Sequence, residues 1–435
     1  MPNHSFKEDF LQYIWQYQFF NKTNLLSTTG DRIEILSPGF LNSHSGPDFY
    51  TARITIQQIE WHGTVEIHYK TSDWIKHNHT SDKAYNNVVL HVVWEQDVEA
   101  LRQDGTKIPT LELKNRIDNS LIAKYKNLIS NENPIPCANL ISTIDPVYIT
   151  SMLEKTILER IEIKAKEILD ILEKNNTNWE ETIYQWIGKC FGFKINSDPF
   201  LQLCQQNPYS VIKKYHTKSK ETEALLFGVA GFLKDKHEDD YYKNLQKEFA
   251  YLSTKHSINT TIDASQWKFL RLRPANFPTI RLAQFAAFLN SVPSLTDFVL
   301  VNHNWKDYFE TEPNEYWQTH YHFRNEAPSK QSVKLGNQSI ENLILNAIIP
   351  LRFAHAWYLN DEDEMEKSLE ILKHLKPEAN SITSKYVAFG LEKSTAYESQ
   401  ALIQLHNHYC AHKKCLHCSI GSQLIYPEKS IQKNG

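Results

Sequence analysis

The sequence lacks any uninterrupted apolar run of about 18 residues, the minimum for a membrane-spanning helix. Its first residues, MPNHSFKEDF, also lack the basic, apolar and small-residue regions of a signal peptide. Neither membrane insertion nor secretion is therefore indicated, and we expect a cytoplasmic protein. Six cysteines in 435 residues are too few for a disulfide scaffold. The net charge of −4 excludes a nonspecific polycation but permits a nucleic-acid enzyme with one basic face.

Two regions with different patterns are present. Residues 1–135 begin with a helical pattern that carries Glu8, and short β-type runs follow it. These runs begin at Arg32, Tyr50, Ile59, Val88 and Lys107. From Pro146 onward the apolar spacing is helical, and β alternation is weak. We predict an α/β (or α+β) N-terminal domain with a mixed sheet over 1–135, followed by an all-α region over 136–435 that ends in a cysteine cluster.

The run from Ile59 to Lys70 is the clearest single element. Apolar residues and glycine alternate there with polar residues, so one face of the strand packs and the other presents ionisable groups. Glu66, His68 and Lys70 project from that second face. Asp48, just after the turn at Gly46-Pro47, comes within reach of Glu66 if the two strands pair as a hairpin.

Two carboxylates beside a base suit a hard divalent cation and the activation of water. Asp48 and Glu66 are therefore candidate ligands of Mg²⁺ or Mn²⁺, and His68 or Lys70 is the candidate for positioning the water. Asp48 has the same alternation parity as the apolar Ala52, so a bulge or a late strand start is needed to bring it to Glu66.

The order of helix, strand, strand beginning at Pro-Asp, and strand carrying Glu-x-His resembles the restriction-endonuclease-like, PD-(D/E)XK nuclease superfamily. The resemblance covers roughly residues 5–115. It implies that Asp48 and Glu66 bind the metal, that His68 occupies the position of the catalytic lysine, and that Glu8 is a possible helix acid. It also implies a nuclease, or a nuclease-derived protein that binds DNA or RNA.

Three alternatives remain open at this stage. Glu66, His68 and Lys70 could form the solvated face of an ordinary sheet. His77, His79 and Asp82 could bind zinc or iron together with His68, which would indicate a histidine-ligated metallohydrolase. The whole chain could also be a noncatalytic interaction protein built on a degraded nuclease core.

Three cysteines lie within nine residues near the C-terminus, in the pattern C-x₄-C-x₂-C. Cys410, Cys415 and Cys418 suit zinc or an iron–sulfur cluster, with Cys137 or a nearby histidine as the fourth ligand. One upstream cysteine with three near the C-terminus is similar to the iron–sulfur staple of some nucleases in the same superfamily. The alternative is a set of partly buried thiols without metal.

The segment from Arg271 to Arg281 combines three arginines with two prolines and leads into a helix. Arg271, Arg273 and Arg281 are candidates for nucleic-acid phosphates, because guanidinium groups and a helix N-terminus both bind phosphate. Bridging of helices through carboxylates or carbonyls is an equally good explanation.

Longer strings resemble an uncharacterised bacterial family of unknown function over nearly the whole chain. These strings are GPDFYTARITI (46–56), VEIHYKTSDWIKHNHTSDKAYNNVVLHVV (65–93), RPANFPTIRLAQFA (273–286) and CxxxxCxxCSIG (410–421). The resemblance implies a shared architecture and brings no established activity.

Overall fold

The computed structural model describes residues 6–42, 44–301, 304–391 and 393–426. The chain divides into two compact units. The N-terminal unit comprises Met1–Met152 together with Leu405–Gly435, and the helical unit comprises Leu153–Gln404. The division thus lies later than residue 135, and the segment that carries the three C-terminal cysteines belongs to the N-terminal unit.

The chain contains two sheets in its described residues. The strands are β1 (Ile33–Ser37), β2 (Phe40–Leu41), β3 (Phe49–Ile56), β4 (Ile59–Lys70), β5 (Val88–Glu95), β6 (Thr110–Glu112), β7 (His320–His322) and β8 (Asn325–Glu326). The large sheet has the order β1-β3-β4-β5-β6, with β2 paired to β3. Strands β1, β3 and β4 pair antiparallel, whereas β4, β5 and β6 pair parallel. The predicted mixed sheet in the N-terminal part is confirmed.

The helices follow the apolar spacing of the sequence. They are α1 (Glu8–Gln16), α2 (Asp73–Lys76), α3 (Asn119–Ser130), α4 (Pro146–Lys174), α5 (Trp179–Phe191), α6 (Ser197–Gln206), α7 (Tyr209–Ile212), α8 (Ser219–Val229), α9 (Asp240–Lys255), α10 (Pro278–Ser291), α11 (Leu295–Leu300), α12 (Trp305–Phe309), α13 (Asn337–Leu343), α14 (Ile349–Leu359), α15 (Glu362–His374), α16 (Ser381–Ala388), α17 (Ala396–Leu405) and α18 (Ser419–Ile425). No helix in the described part of the chain is both long and apolar enough to cross a membrane.

The helical unit is largely, but not entirely, helical. The antiparallel pair β7–β8 interrupts the expected all-α region. A π-helical turn at Ile344–Ile348 lies between α13 and α14, where the sequence pattern suggests one continuous helix. Both departures are short. A three-residue strand or one wide turn leaves little trace in hydrophobic periodicity, so the sequence pattern did not show them.

Helix α1 packs on the large sheet through an apolar stripe. Phe10, Ile14 and Trp15 are fully buried in the core that the sheet, α1 and α3 share. Its first turn contains the acidic residues Glu8 and Asp9, and acidic groups are favoured there by the positive end of the helix dipole. The stripe fixes the rotation of α1 and so aims Glu8 at the sheet.

Strand β4 differs in its two halves. Ile59 and Trp61, near its start, are exposed at 59% and 47%, although they share the apolar parity. Glu66 and His68, near its end, are buried at 5% and 1% exposure. The alternative of a solvated polar face therefore does not describe these two residues.

A contact between helices α5 and α6 provides a test of packing in the helical unit. A methyl group added at Gly188 would overlap the Sγ of Cys204. We expect Gly188→Ala to lower the free energy of unfolding by about 1–3 kcal/mol. In a Cys204→Ala background the sulfur is gone, and the same change should stabilise by roughly 1 kcal/mol because alanine favours helix over glycine. Urea unfolding of the four proteins measures this sign change, and a penalty that persists in the double variant contradicts the contact.

Candidate functional site

Three acidic side chains gather where α1 meets strands β3 and β4. Glu8 lies in the first turn of α1, Asp48 immediately precedes β3, and Glu66 lies in β4. The backbone N–H of Asp48 donates to Glu66 Oε2 at 3.1 Å, and the N–H of Ile67 donates to Asp48 Oδ2 at 3.0 Å. Gln12 donates from Nε2 to Asp48 Oδ1 at 2.8 Å. The structure thus brings Asp48 and Glu66 side by side.

An irregularity in the β3–β4 pairing makes this approach possible. The register shifts between Phe49 and Ala52, and Thr51 adopts a φ of 56°. A bulge inserts an extra residue on one strand and so reverses the parity of the residues before it. Asp48 lies on that side of the irregularity and can therefore reach Glu66, as the sequence required.

These acids have raised pKa values. Burial, and after it the charges of Asp48 and Glu66, raise the pKa of Glu8 to about 8. Burial also raises the pKa of Asp48, to which the charge of Glu66 adds, and burial raises the pKa of Glu66. No lysine or arginine among the described residues offsets the charge of these three groups. A divalent cation would supply that missing charge.

Histidines adjoin the other oxygen of Glu66. Glu66 Oε1 lies 3.4 Å from His68 Nε2 and 3.3 Å from His79 Nε2. His77 Nδ1 lies 3.1 Å from His68 Nε2. His68, His77 and His79 each offer a ring nitrogen within 4.8 Å of the other two, a spacing that could hold a metal ion. Glu66 therefore faces the acids with one oxygen and the histidines with the other.

The segment after β4 folds back to deliver two of these histidines. Asp73 accepts from the N–H of Lys70 at 2.9 Å, which ties the start of α2 to the end of the strand. His77 follows α2, and His79 begins a 3₁₀ turn. Asn78 between them has a φ of 61°, a left-handed conformation that asparagine tolerates. His77 and His79 thereby come to His68 from a single tight loop.

Aromatic and polar neighbours orient the imidazole rings. Tyr85 stacks on His79 with ring centroids 3.7 Å apart, and Trp74 lies edge-on to His79 at 5.4 Å. His68 Nδ1 lies 2.8 Å from Nε2 of His91, a fully buried residue of β5. The rings therefore have little freedom to turn.

The surroundings of His68, His79 and His91 favour the neutral form of each ring. Burial, and then the nearby histidines, lower the pKa of His68 far below its ordinary value. Burial lowers the pKa of His91 to about 3, and burial also lowers the pKa of His79. Neutral imidazole is the form that carries a lone pair for a proton or a metal.

Lys70 and Asp82 lie outside this group. Lys70 pairs with Glu95 in the parallel register of β4 and β5, and the pKa of Glu95 is lowered chiefly by its hydrogen bond with Lys114 and further by the charge of Lys70. Asp82 is exposed and accepts from the N–H of Ala84 at 2.9 Å, so it caps the 3₁₀ turn at Lys83–Tyr85. The structure thus groups His68, but not Lys70 or Asp82, with Glu66.

The C-terminal cysteines meet Cys137 within the N-terminal unit. Burial raises the pKa of Cys137, and the thiols of Cys410, Cys418 and Cys415 are the neighbours that raise it further. Burial, and after it the neighbouring Cys418 and Cys410, raise the pKa of Cys415 to about 12. The Lys413 Nζ donates to the carbonyl of Ile129 at 2.7 Å and holds the same segment in place. The four cysteines named from the sequence therefore lie in one neighbourhood of the fold.

The three arginines of the helical unit have different surroundings. Arg281 is buried, donates to Gln284, Asn276 and Ser339, and lies over the ring of Phe193 at 4.2 Å. Its guanidinium therefore bridges structural elements.

By contrast, Arg271 and Arg273 are exposed, and Arg271 has a φ of 66°. These two remain accessible to an anionic partner.

Sequence reasoning did not identify two residues that position the site, Gln12 and Tyr85. Gln12 follows Glu8 by one helical turn, so helical spacing alone contained a signal for it. Tyr85 lies in a turn, and nothing in its local pattern relates it to His79. Long-range stacking of this kind appears only in the folded chain.

The raised pKa values predict the pH dependence of stability for the metal-free protein. Acids with raised pKa values hold protons more tightly in the fold, so unfolding releases protons and becomes easier as pH rises. The stabilisation of the fold by the protonated Glu8 is complete below about pH 4.5 and is lost as the pH rises to about 8. We expect thermal stability after EDTA treatment to fall across this range, and Glu8→Gln to flatten the decline.

The matched control is Glu34→Gln, because Glu34 is an exposed acid on β1. This variant should follow the parent at every pH, and added Mn²⁺ should restore stability at the upper end for the parent. If the thermal stability of the parent did not change with pH, the pKa values of these acids would not be raised in the fold.

Comparison with family models places the chain in a family. The family model described as "Protein of unknown function (DUF2851)" matches residues 8–381. Searches of curated proteins and of solved structures gave no match. The matched range contains the acidic and histidine groups and most of the helical unit, so the predicted membership in a family of unknown function is confirmed. The chain belongs to the DUF2851 family.

Proposed function

We propose that the N-terminal unit is a metal-dependent phosphodiesterase that hydrolyses DNA or RNA. Glu8, Asp48 and Glu66 would hold Mg²⁺ or Mn²⁺, because carboxylate oxygens are the ligands that these hard cations prefer. The observation that carries the proposal is the cluster of three acids with raised pKa values and no lysine or arginine to offset them. When bound, such a cation polarises a phosphate oxygen and lowers the pKa of a bound water.

The order of the elements supports this function. An acid on the first helix, an acid before an antiparallel strand and an acid in the next strand occur in turn, and that last strand pairs parallel with β5. This is the arrangement expected of the restriction-endonuclease-like superfamily that the sequence resembles. The likeness supports phosphodiester chemistry more than small-molecule chemistry.

The acids are oriented before any cation binds. Asp48 is fixed by hydrogen bonds from Gln12 and from the backbone of Ile67, and Glu66 is fixed by the backbone of Asp48. Hydrogen bonds to ligating carboxylates reduce the rearrangement that binding requires. The exposed ring of His77 marks a side of the site that solvent and substrate can reach.

The residue at the position of the superfamily lysine is a histidine here, so it acts by a different chemistry. His68 stands at that position, and its lowered pKa leaves it uncharged at neutral pH. Lys70, the other candidate, pairs with Glu95 in the register of β4 and β5. His68 can accept a hydrogen bond or a proton at Nε2, but it does not supply the positive charge of a lysine.

A polyanionic substrate also needs contacts away from the reacting phosphate. Arg271 and Arg273 are exposed guanidinium groups on the helical unit, and we propose that they contact phosphates of the nucleic acid. Arg281 is excluded from that role by its internal hydrogen bonds.

Cleavage of labelled single- and double-stranded DNA and RNA in Mg²⁺ or Mn²⁺ tests the function. We expect the parent to cleave at least one of these substrates, and Asp48→Asn and Glu66→Gln each to lower the rate at least about 100-fold. Glu34→Gln, an exposed acid on the same sheet, should keep the parent rate. Unchanged cleavage in both site variants, or no cleavage of any substrate in either metal, would reject the proposal in favour of a noncatalytic interaction protein.

We also propose that Cys137, Cys410, Cys415 and Cys418 bind zinc or an iron–sulfur cluster. Four thiols gathered from distant parts of the chain form the soft donor set that these metals prefer. Such a site would hold the segment after Leu405 to the segment after α3.

Metal analysis and visible absorbance of protein purified without oxygen test this second site. We expect either iron with sulfide and a brown colour, or one zinc, and we expect Cys137→Ser to lose it. Cys190→Ser is the matched control, because Cys190 lies in the helical unit and bonds only to a backbone oxygen of Asn346 in the described contacts. Equal metal content in the parent and Cys137→Ser would exclude Cys137 as a ligand.

A further inference from the structure

We propose that Glu66, His68, His77 and His79 form a second metal site that binds a divalent transition-metal ion such as Zn²⁺. The donor atoms are Glu66 Oε1, His68 Nε2, His77 Nδ1 and His79 Nε2. The site shares Glu66 with the acidic cluster. Its role in catalysis rests on the proposed function, whereas its ability to bind metal can be tested alone.

The spacing of the donor atoms is the first argument. Four ligands about 2.1 Å from a tetrahedral ion lie roughly 3.4 Å from one another. Glu66 Oε1 lies 3.4 Å from His68 Nε2 and 3.3 Å from His79 Nε2. His68 Nε2 lies 3.1 Å from His77 Nδ1. These three distances match the edges of a tetrahedral set, and the ring nitrogens that the three histidines offer all lie within 4.8 Å of one another.

The state of His79 is the second argument. Its side chain is only 10% exposed, and its Nε2 makes no hydrogen bond among the described residues, although Glu66 Oε1 lies 3.3 Å away. A buried polar nitrogen without a partner costs free energy, commonly about 1–3 kcal/mol in proteins. Coordination of a cation at this nitrogen removes that cost, whereas a network of histidines alone does not.

The support around the rings is the third argument. A histidine that binds metal through Nε2 usually donates its Nδ1–H to a fixed acceptor, which sets the tautomer. His68 Nδ1 has such a neighbour in His91 Nε2 at 2.8 Å. Tyr85 stacks on His79 and limits its rotation. The ligands are thus held in the orientation that coordination needs.

The charge of the site gives it a role in the proposed reaction. Three neutral imidazoles and one carboxylate around a dication leave a net charge of +1. The superfamily pattern has a lysine, also +1, at the position of His68. The ion would therefore supply the charge that His68 lacks, next to the cation of the acidic cluster. Paired ions of this kind stabilise the attacking and the leaving oxygens of phosphodiester hydrolysis.

Cobalt substitution tests the site without reference to activity. The metal-stripped full-length protein is titrated with Co²⁺ while visible absorbance is recorded. We expect His77→Ala and His79→Phe each to weaken binding at this site at least about 10-fold and to remove its tetrahedral cobalt bands. The phenyl ring of His79→Phe keeps the stacking on Tyr85, so loss of binding is separated from loss of packing.

His62→Ala is the matched control. His62 lies on the same strand, its side chain is 68% exposed, and its nearest acid is Glu60. The His62→Ala protein should bind cobalt as the parent does. Any cobalt bound at the cysteines would be the same in all of these proteins and would cancel when the spectra of parent and variant are subtracted. Identical spectra and metal content in parent, His77→Ala and His79→Phe would overturn the proposal.

The two proposals fail in distinguishable ways. Asp48→Asn should keep the cobalt bands and lose cleavage, because Asp48 contacts only the acidic side. Cobalt bands in a parent that cleaves no nucleic acid would support the histidine site and reject the nuclease. Magnesium-dependent cleavage by a parent without these bands would support the nuclease and reject the histidine site.

Discussion

The burial of one carboxyl group, that of Glu66, constrains the rest of the N-terminal unit. A buried carboxylate is costly unless hydrogen bonds or an opposite charge compensate it. One oxygen of Glu66 accepts from the backbone of Asp48, and the other lies beside the imidazoles of His68 and His79. The hydrogen bond alone does not lower its pKa to the ordinary value. The fold therefore buries a carboxyl group that holds its proton more tightly than an ordinary glutamate does, and only an opposite charge would favour its ionised form.

The sheet explains how so many groups reach this centre. Because β4 and β5 are parallel, the chain must cross from the end of one strand to the start of the other. That crossing contains α2 and the turn with His77 and His79, so the loop passes over the buried end of β4. The same pairing sets His91 opposite Glu66 in register. A topology of parallel strands thus concentrates ionisable groups at one strand end.

Local patterns in the sequence were enough for the elements but not for their partners. The alternation from Ile59 identified β4, and the Pro-Asp turn together with the place of Glu66 in that strand predicted that the two acids meet, because each of these patterns is local. The bulge at Thr51, the stacking of Tyr85 on His79 and the approach of Cys137 to the C-terminal cysteines depend on tertiary contacts. The exposed Ile59 and the buried Glu66 lie on the same strand. Alternation in the sequence could not predict this difference, because burial depends on what covers each half of the strand.

A histidine in place of a lysine changes what controls the site. A lysine amine beside two carboxylates carries its charge at every physiological pH, so the site is complete once the chain has folded. The imidazole of His68, with its lowered pKa, carries no charge by itself. Under the proposed scheme the positive charge arrives only with a bound ion. The affinity of His68, His77 and His79 for that ion then decides whether a positive charge lies next to the acids. Activity would then depend on the supply of a transition metal as well as on Mg²⁺ or Mn²⁺, a dependence that a lysine at the same position would not create.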